Sequence, residues 1–227
     1  MYRYETHLHT SPVSKCARVG VRENLEFYRS LGYDGVFITN NFLDGNINIS
    51  SDLSYEERVN FYFSDYEEAL RLSDEIGIKV FLGVELSYKG TDFLVYGLEK
   101  EWYLAHPEIM EMKKTDELAY LMENGALVIQ AHPYRERDYI DHIRLFPRCV
   151  HGVEIVNACE DELSTQMAVR YARNYDLLEF AGSDNHVGAK KNWLAGMSCE
   201  REICSEKDFV EAVLCMEMEI FTIEKEF

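Results

Sequence analysis

The chain has 227 residues, 47% apolar and 28% charged, the composition of a globular protein with room for a sizeable core. Its 23 Lys and Arg against 41 Asp and Glu leave a net charge of −18, which repels nucleic acid and anionic membrane. Long nucleic acid and membrane are thereby excluded as main partners, while a small anionic substrate at a local metal or cationic site is not. No apolar run approaches the roughly 20 residues of a membrane helix. Met1–Glu5 holds no signal-peptide core, and Cys16, Cys149, Cys159, Cys199, Cys204 and Cys215 form no CxxC pair, so a cytoplasmic protein with reduced thiols is expected.

In chain order, short β-branched or aromatic runs bounded by turn residues predict strands over Arg3–His9, Gly35–Thr39, Lys79–Glu85, Asp92–Gly97, Ala126–His132, Cys149–Val156 and Leu178–Ser183. Helical periodicity fills most of the gaps: Arg22–Leu31 closed by Gly32, Tyr55–Ile76 closed by Gly77, Ile109–Glu123 closed near Gly125, then Leu163–Tyr175 and Glu206–Met216. The polar stretch 40–54 is long enough to suggest a functional loop. With no linker, repeat or low-complexity segment, residues 1–227 read as one domain. Strands alternating with helices predict an α/β fold with a mainly parallel sheet, and seven of them fit a closed or nearly closed β/α barrel. Such barrels carry their chemistry at the C-terminal strand ends.

Those ends are where metal-binding residue types collect. The first strand finishes His7-Leu8-His9, and two residues on the same strand face stand about 6.5–7 Å apart, close enough to chelate one borderline cation such as Zn²⁺, Mn²⁺ or Fe²⁺. Glu5, on the same face, is placed to orient a ligand histidine. The third strand finishes in Glu85 after an apolar run, the fifth in His132, and the seventh in Asp184-Asn185-His186. Buried carboxylates of this kind call for a cation or a partner. His106, His142 (in a helical stretch, Tyr139–Phe146) and His151 lie elsewhere and read as ordinary surface or packed histidines.

The ordered set His7-Leu8-His9-Thr10, Gly83-Val84-Glu85, Ala131-His132-Pro133 and Gly182-Ser183-Asp184-Asn185-His186 resembles the PHP (polymerase and histidinol phosphatase) superfamily of metal-dependent phosphoesterases. The resemblance implies a distorted seven-stranded, TIM-barrel-related β/α barrel with up to three divalent metals at the strand ends. It implies that His7, His9, Glu85 and Asp184 hold the first metal, that Glu85 bridges to a second bound by His132, and that His186 belongs to a third. Asn41 stands where the superfamily often has a third-site histidine, Ser14 and Lys15 where it often has Asp or His. Asp92 is the only ligand type near the usual fourth-strand histidine. One or two metals (Zn, Mn or Fe) are therefore expected, with the third position short of ligands.

The implied activity is a phosphoric monoester hydrolase that attacks a small phosphorylated metabolite with a metal-activated water. Lys15, Arg18 and Arg135 are candidates to neutralise the phosphoryl oxygens, followed by Arg137 and Lys190-Lys191. His186 is a candidate general acid toward the leaving alkoxide. Glu154 and Asn157 are candidate pocket walls. Cys16 lacks the partner pattern of a catalytic thiol. Two alternatives stay open: a non-catalytic or regulatory module with a degraded metal site, and a related metal-dependent amide or ester hydrolase.

Overall fold

A computed structural model describes residues 1–225. The strands are β1 (Tyr2–Leu8), β2 (Gly35–Ile38), β3 (Lys79–Tyr88), β4 (Thr91–Tyr96), β5 (Leu127–Ala131), β6 (Gly152–Asn157), β7 (Leu178–Gly182), β8 (Trp193–Cys199) and β9 (Met218–Glu224). The helices are α1 (Val21–Ser30), α2 (Tyr55–Tyr62), α3 (Ser64–Ile76), α4 (Lys100–Ala105), α5 (Lys114–Glu123), α6 (Glu162–Asn174) and α7 (Glu206–Leu214).

One sheet runs β7-β6-β5-β4-β3-β2-β1-β8-β9. It nearly closes on itself: Leu8, the last residue of β1, bridges Asn185, just past β7, with the His9 N–H donating to the Asn185 carbonyl at 3.1 Å and the Asn185 N–H to the His7 carbonyl at 3.3 Å. The expected barrel is thus present as a nearly closed sheet, with two corrections. The described residues form nine strands rather than seven, because β8 pairs antiparallel with the start of β1 and carries β9 outside the ring. The sheet is also mixed, because β4 lies antiparallel to both β3 and β5. The β3–β4 connection is a two-residue turn in which Lys89 (φ 53°) and Gly90 (φ 80°) are both left-handed, the geometry that matches the twist of paired strands. Because β4 is reversed, its first residues rather than its last lie at the functional end, which carries Asp92 there.

The expected helix over 55–76 divides at Phe63 into α2 and α3. Phe63 is fully buried, and the Ser64 hydroxyl takes the Phe61 carbonyl at 2.6 Å, competing with the helical ladder. No helix forms over 139–146, so His142 lies in an exposed loop. At the bottom of the barrel α7 acts as a plug. Phe209 packs on Phe37 at 4.2 Å and on Tyr96 at 5.3 Å between ring centroids, inside a core with Tyr4, Phe81, Ile129 and Phe180. The helices α1 and α3 cover one outer face, and α2, α4 and α5 another. The plug leaves the opposite, C-terminal end of the parallel strands as the accessible end. No helix among the described residues is long and apolar enough to cross a membrane.

Candidate metal centre

At that end, five strands deliver ionisable side chains to one point. His7 and His9 come from the end of β1, Glu85 from β3, Asp92 from the start of β4, His132 from the residue after β5, and Asp184 from just past β7. His7 is fully buried, as His9, Glu85, His132 and Asp184 nearly are. The Nε2 atoms of His7 and His9 face each other at 3.2 Å. Glu85 Oε1 lies 3.1 Å from His7 Nε2 and 3.5 Å from His132 Nε2, while its Oε2 lies 3.4 Å from His9 Nε2. Asp184 Oδ1 sits 3.5 Å from His7 Nε2 and 3.3 Å from His9 Nε2. Within this group two sets, His7–His9–Asp184 and His7–Glu85–His132, each have one donor atom per residue within 4.8 Å of the others.

The hydrogen bonds around these rings assign their tautomers. His7 Nδ1 donates to Glu154 Oε1 at 2.9 Å. His9 Nδ1 donates to Ser14 Oγ at 3.2 Å, and that hydroxyl passes its own proton to Asn40 Oδ1 at 2.8 Å. With both Nδ1 protons committed, each ring when neutral presents its Nε2 lone pair to the other among carboxylate oxygens, and without a cation a proton on His7 fills that place. Two further buried atoms of the cluster, His132 Nε2 and Asp184 Oδ1, have no hydrogen-bond partner among the described residues. Imidazole nitrogens and carboxylate oxygens converging on one small space, two of them without a hydrogen-bond partner, fit a bound divalent cation, since buried polar atoms otherwise find partners. The donor set, imidazole nitrogen with carboxylate oxygen, suits Zn²⁺, Mn²⁺ or Fe²⁺.

The electrostatics agree. Burial opposes a charge on His7, but Glu154, Asp184 and Glu85 outweigh it and hold the ring well above its ordinary pKa of 6.5. Burial likewise opposes ionisation of Asp184 and Glu85, and Arg135 and His7 (for Asp184) or His9 and His7 (for Glu85) overcome it, leaving both well below the usual carboxylate range. The cluster draws positive charge to itself. Asp92 differs: burial and the neighbouring Glu85 push it up to about 6, and its Oδ2 lies 3.8 Å from His132 Nε2.

Backbone strain marks the same spot. His132 (φ 26°) and Asp184 (φ 50°) both sit in the left-handed region, which costs a residue with a side chain about 1–3 kcal/mol and persists where the surroundings hold it. Gly182, just before Asp184, is required by close approach, since a Cβ there would lie 2.5 Å from His7 Cβ and 2.7 Å from Glu154 Oε1.

The orienting residues are largely ones for which the sequence suggested other roles. Glu154, expected only as a pocket wall, holds His7 through Nδ1 and takes the His132 N–H on its other oxygen at 3.1 Å. The ring-orienting role expected of Glu5 falls to Glu154, because Glu5 Oε1 accepts backbone N–H groups of His7 (2.9 Å) and Ser183 (3.0 Å) instead. The signal was present, in that Glu154 is a carboxylate between apolar Val153 and Ile155, as Glu85 is between Val84 and Leu86. Asn41 donates its side-chain amide to Glu85 Oε2, so it orients the bridging carboxylate from where a third-site histidine was expected. Arg135 donates to Asp184 Oδ2 and, at 2.7 Å, to Glu160, which turns Asp184 Oδ1 toward the cluster.

A cavity of ≈ 480 Å³ opens over the cluster, lined by His9, Cys16, Glu85, Asp92, Arg135, Tyr139, Asp184 and His186 among others. Lys15 and Arg18 are exposed and are not among its lining residues. Arg137 pairs with Glu160 at 3.0 Å, and Lys191 Nζ lies 2.8 Å from Cys159 Sγ. His186 is half-buried at the mouth, its Nδ1 donating to the Asp184 carbonyl at 2.9 Å. Burial and the adjacent His9 hold it down to about 4. The neutral ring keeps its one proton on Nδ1, held by the Asp184 carbonyl, which leaves Nε2 free and suited to a ligand role. Burial, with a smaller contribution from Glu85, pushes the Cys16 thiol up to about 11.

No protein-family model matches the sequence, and no curated protein matches it. Solved structures do match in shape. A Bacteroides vulgatus two-domain protein, described as containing a predicted PHP-like metal-dependent phosphoesterase, superposes with a TM-score of 0.67 at 14% identity over 97% of this chain. The chain has a PHP-type fold. It spans 64% of that two-domain protein. A Bifidobacterium adolescentis protein, assigned as a metal-dependent phosphoesterase, matches at TM-score 0.54 and 16% identity over 93% of this chain and 95% of its own. A Chromobacterium violaceum amidohydrolase, solved with bound sulfate and no metal, matches at 0.56 and 12% identity over 83% of this chain and 89% of its own.

Proposed function

We propose that this PHP-type barrel is a metal-dependent hydrolase of small phosphate esters, using one or two divalent transition metals. The observation that carries the reading is the convergence of buried His7, His9, His132, Glu85 and Asp184 on one space, in which His132 Nε2 and Asp184 Oδ1 have no hydrogen-bond partner among the described residues. His7, His9, Glu85 and Asp184 would hold the first cation, and Glu85, His132 and Asp92 surround the place for a second. A divalent metal there supplies Lewis acidity and brings the pKa of water toward neutrality.

The chain's own residues do the remaining work. Glu154 and Ser14 keep the His7 and His9 protons on Nδ1, so that both Nε2 atoms stay available. Arg135 and Asn157 hold Asp184 by Oδ2. Asn41 turns Glu85 so that its two oxygens face different imidazoles. The narrow cavity of ≈ 480 Å³ admits a small molecule and not a folded polymer. One observation favours the amide or ester alternative: Arg135 is the only Lys or Arg among the described lining residues, and two carboxylates already engage it. A strongly charged phosphate would find little cationic support beyond the metal.

The test is metal content per chain after loading with Zn²⁺, Mn²⁺ or Fe²⁺, joined to a release screen over phosphorylated metabolites, carboxylic esters and amides. Bound metal with phosphate release supports the proposal. Bound metal with turnover of amides or carboxylic esters alone transfers it to the alternative. Absence of stoichiometric metal overturns both.

A further inference from the structure

A second group of donor atoms stands at the mouth of the cluster. Cys16, His9 and His186 each offer one ligand atom, all within 4.8 Å of one another. Cys16 comes from the loop between β1 and α1, and His186 from the loop after β7. Backbone hydrogen bonds brace the cysteine on both sides, from the Lys15 N–H to the Asn46 carbonyl at 2.9 Å and from the Arg18 N–H to the His186 carbonyl at 2.8 Å. The second of these ties the two loops together. The His9 and His186 rings stack at 4.2 Å between centroids, and the His186 Nδ1 is occupied by the Asp184 carbonyl, so its Nε2 is the donor left over. Both Cys16 and His186 line the cavity.

His9 belongs to this group and to the deeper one. Its Nδ1 is held by Ser14, so Nε2 is its single available donor and serves one cation at a time. The two groups differ in chemistry. The deeper set offers two imidazoles and the carboxylates of Asp184 and Glu85, whereas the outer set offers two imidazoles and a thiol, which a coordinating metal deprotonates. Thiolate favours softer ions, and carboxylate favours harder ones.

We propose that Cys16 is a metal ligand, and that the identity of the cation decides which of two overlapping sites takes His9. A thiolate-seeking divalent ion such as Co²⁺ or Zn²⁺ fills Cys16–His9–His186, and an oxygen-seeking ion such as Mn²⁺ fills His7–His9–Asp184 with Glu85. The inference rests on the metal-centre reading above and adds to it a sulfur ligand and a choice between ions.

Cobalt tests it on the whole chain, because thiolate-bound Co²⁺ shows an intense sulfur-to-metal charge-transfer absorption that imidazole and carboxylate ligands do not produce. The band is expected in the wild-type protein, absent in Cys16→Ser, and retained in Cys159→Ser, whose thiol lies 3.2 Å from the Asp184 carbonyl. Removing a residue that merely orients a ligand costs about 10–100-fold in metal affinity, so Cys16→Ser is expected to weaken Co²⁺ binding by at least about 10²-fold. Its Mn²⁺ affinity, read from the spin resonance of the free ion, is expected to stay within about twofold, which also shows that the variant folds. A cobalt-loaded wild type without the band, or a band that survives in Cys16→Ser, overturns the sulfur ligand. An equal loss of Co²⁺ and Mn²⁺ affinity in Cys16→Ser overturns the choice between ions. Failure of the wild type to bind either ion removes the metal centre itself, and this inference with it.

Discussion

The floor and the rim of the cavity are built on opposite terms. On the floor His7, His9, Glu85 and Asp184 each have a second residue that fixes them: Glu154, Ser14, Asn41 and Arg135 respectively. All four are 3% exposed or less, on strands or directly past their ends. On the rim Lys15, Arg18 and Tyr139 are exposed and rise from loops. Charges buried that deeply are tolerated only with a partner of opposite sign, so the floor reveals a cation by what it lacks. The rim, bathed in water, reveals no such need. A floor residue should therefore matter for binding the ion far more than any rim residue outside the Cys16–His186 pair.

The largest expected effect is at the floor itself. Asp184→Asn keeps the shape of the side chain but removes the charge beside His7 and His9, and is expected to lower metal affinity by more than about 10²-fold, measured by elemental analysis after dialysis. An unchanged stoichiometry would break the contrast between floor and rim. One step out, Glu154→Gln retains an oxygen for His7 but loses its charge, and a loss of about 10–100-fold is expected. If Glu154→Gln proved harmless, the orienting layer would be a packing feature and not part of the centre.

Protonation sharpens the same comparison. The carboxylates hold His7 above its ordinary 6.5, so in the metal-free protein a proton takes the cation's place on that ring. A raised folded-state pKa contributes stability that is complete below 6.5 and is lost as pH rises through the raised value. The metal-free protein should therefore lose melting temperature over that window. Metal binding requires the proton to leave, so affinity should rise with pH by about tenfold per unit over the same range. Melting curves with and without metal at a series of pH values check both signs. Parallel curves at every pH would mean that His7 does not exchange a proton for the ion.

The legible part of the molecule was the part written on strand ends. His7, His9, Glu85, His132 and Asp184 follow apolar runs, and the barrel requires such positions to meet. What escaped was set by contacts between elements distant in the chain. The strand β8 was missed because Trp193–Cys199 contains Ala195 and Gly196 and reads as no strong strand, although Gly196 is there because Tyr4 passes against it, with a Cβ only 2.3 Å from the Tyr4 carbonyl. The reversal of β4 depends on the Lys89-Gly90 turn, which the strand runs alone do not announce. Glu154 carried the right local signal, but its target ring lies 147 residues away in sequence. The rim was illegible for a simpler reason: loop positions near a motif in sequence need not face the site that the motif forms.

Lys15 is the clearest case, and the smallest effect expected. It follows the His7–His9 motif closely enough for sequence to suggest that its ammonium replaces the charge of a missing third metal. Its backbone N–H is indeed bonded inward, to the Asn46 carbonyl at 2.9 Å, but the residue is exposed and is not among those lining the cavity. An exposed ammonium in water interacts weakly with charges beyond a Debye length and has little geometric hold on a phosphoryl oxygen. Lys15→Ala is therefore expected to change turnover by less than about threefold on whichever ester proves best, with metal stoichiometry unaltered. Removing a charged group that stabilises the transition state costs about 10²–10³-fold. A loss of that size would show that the Ser11–Gly20 loop closes over the substrate, and that the rim, too, belongs to the machinery.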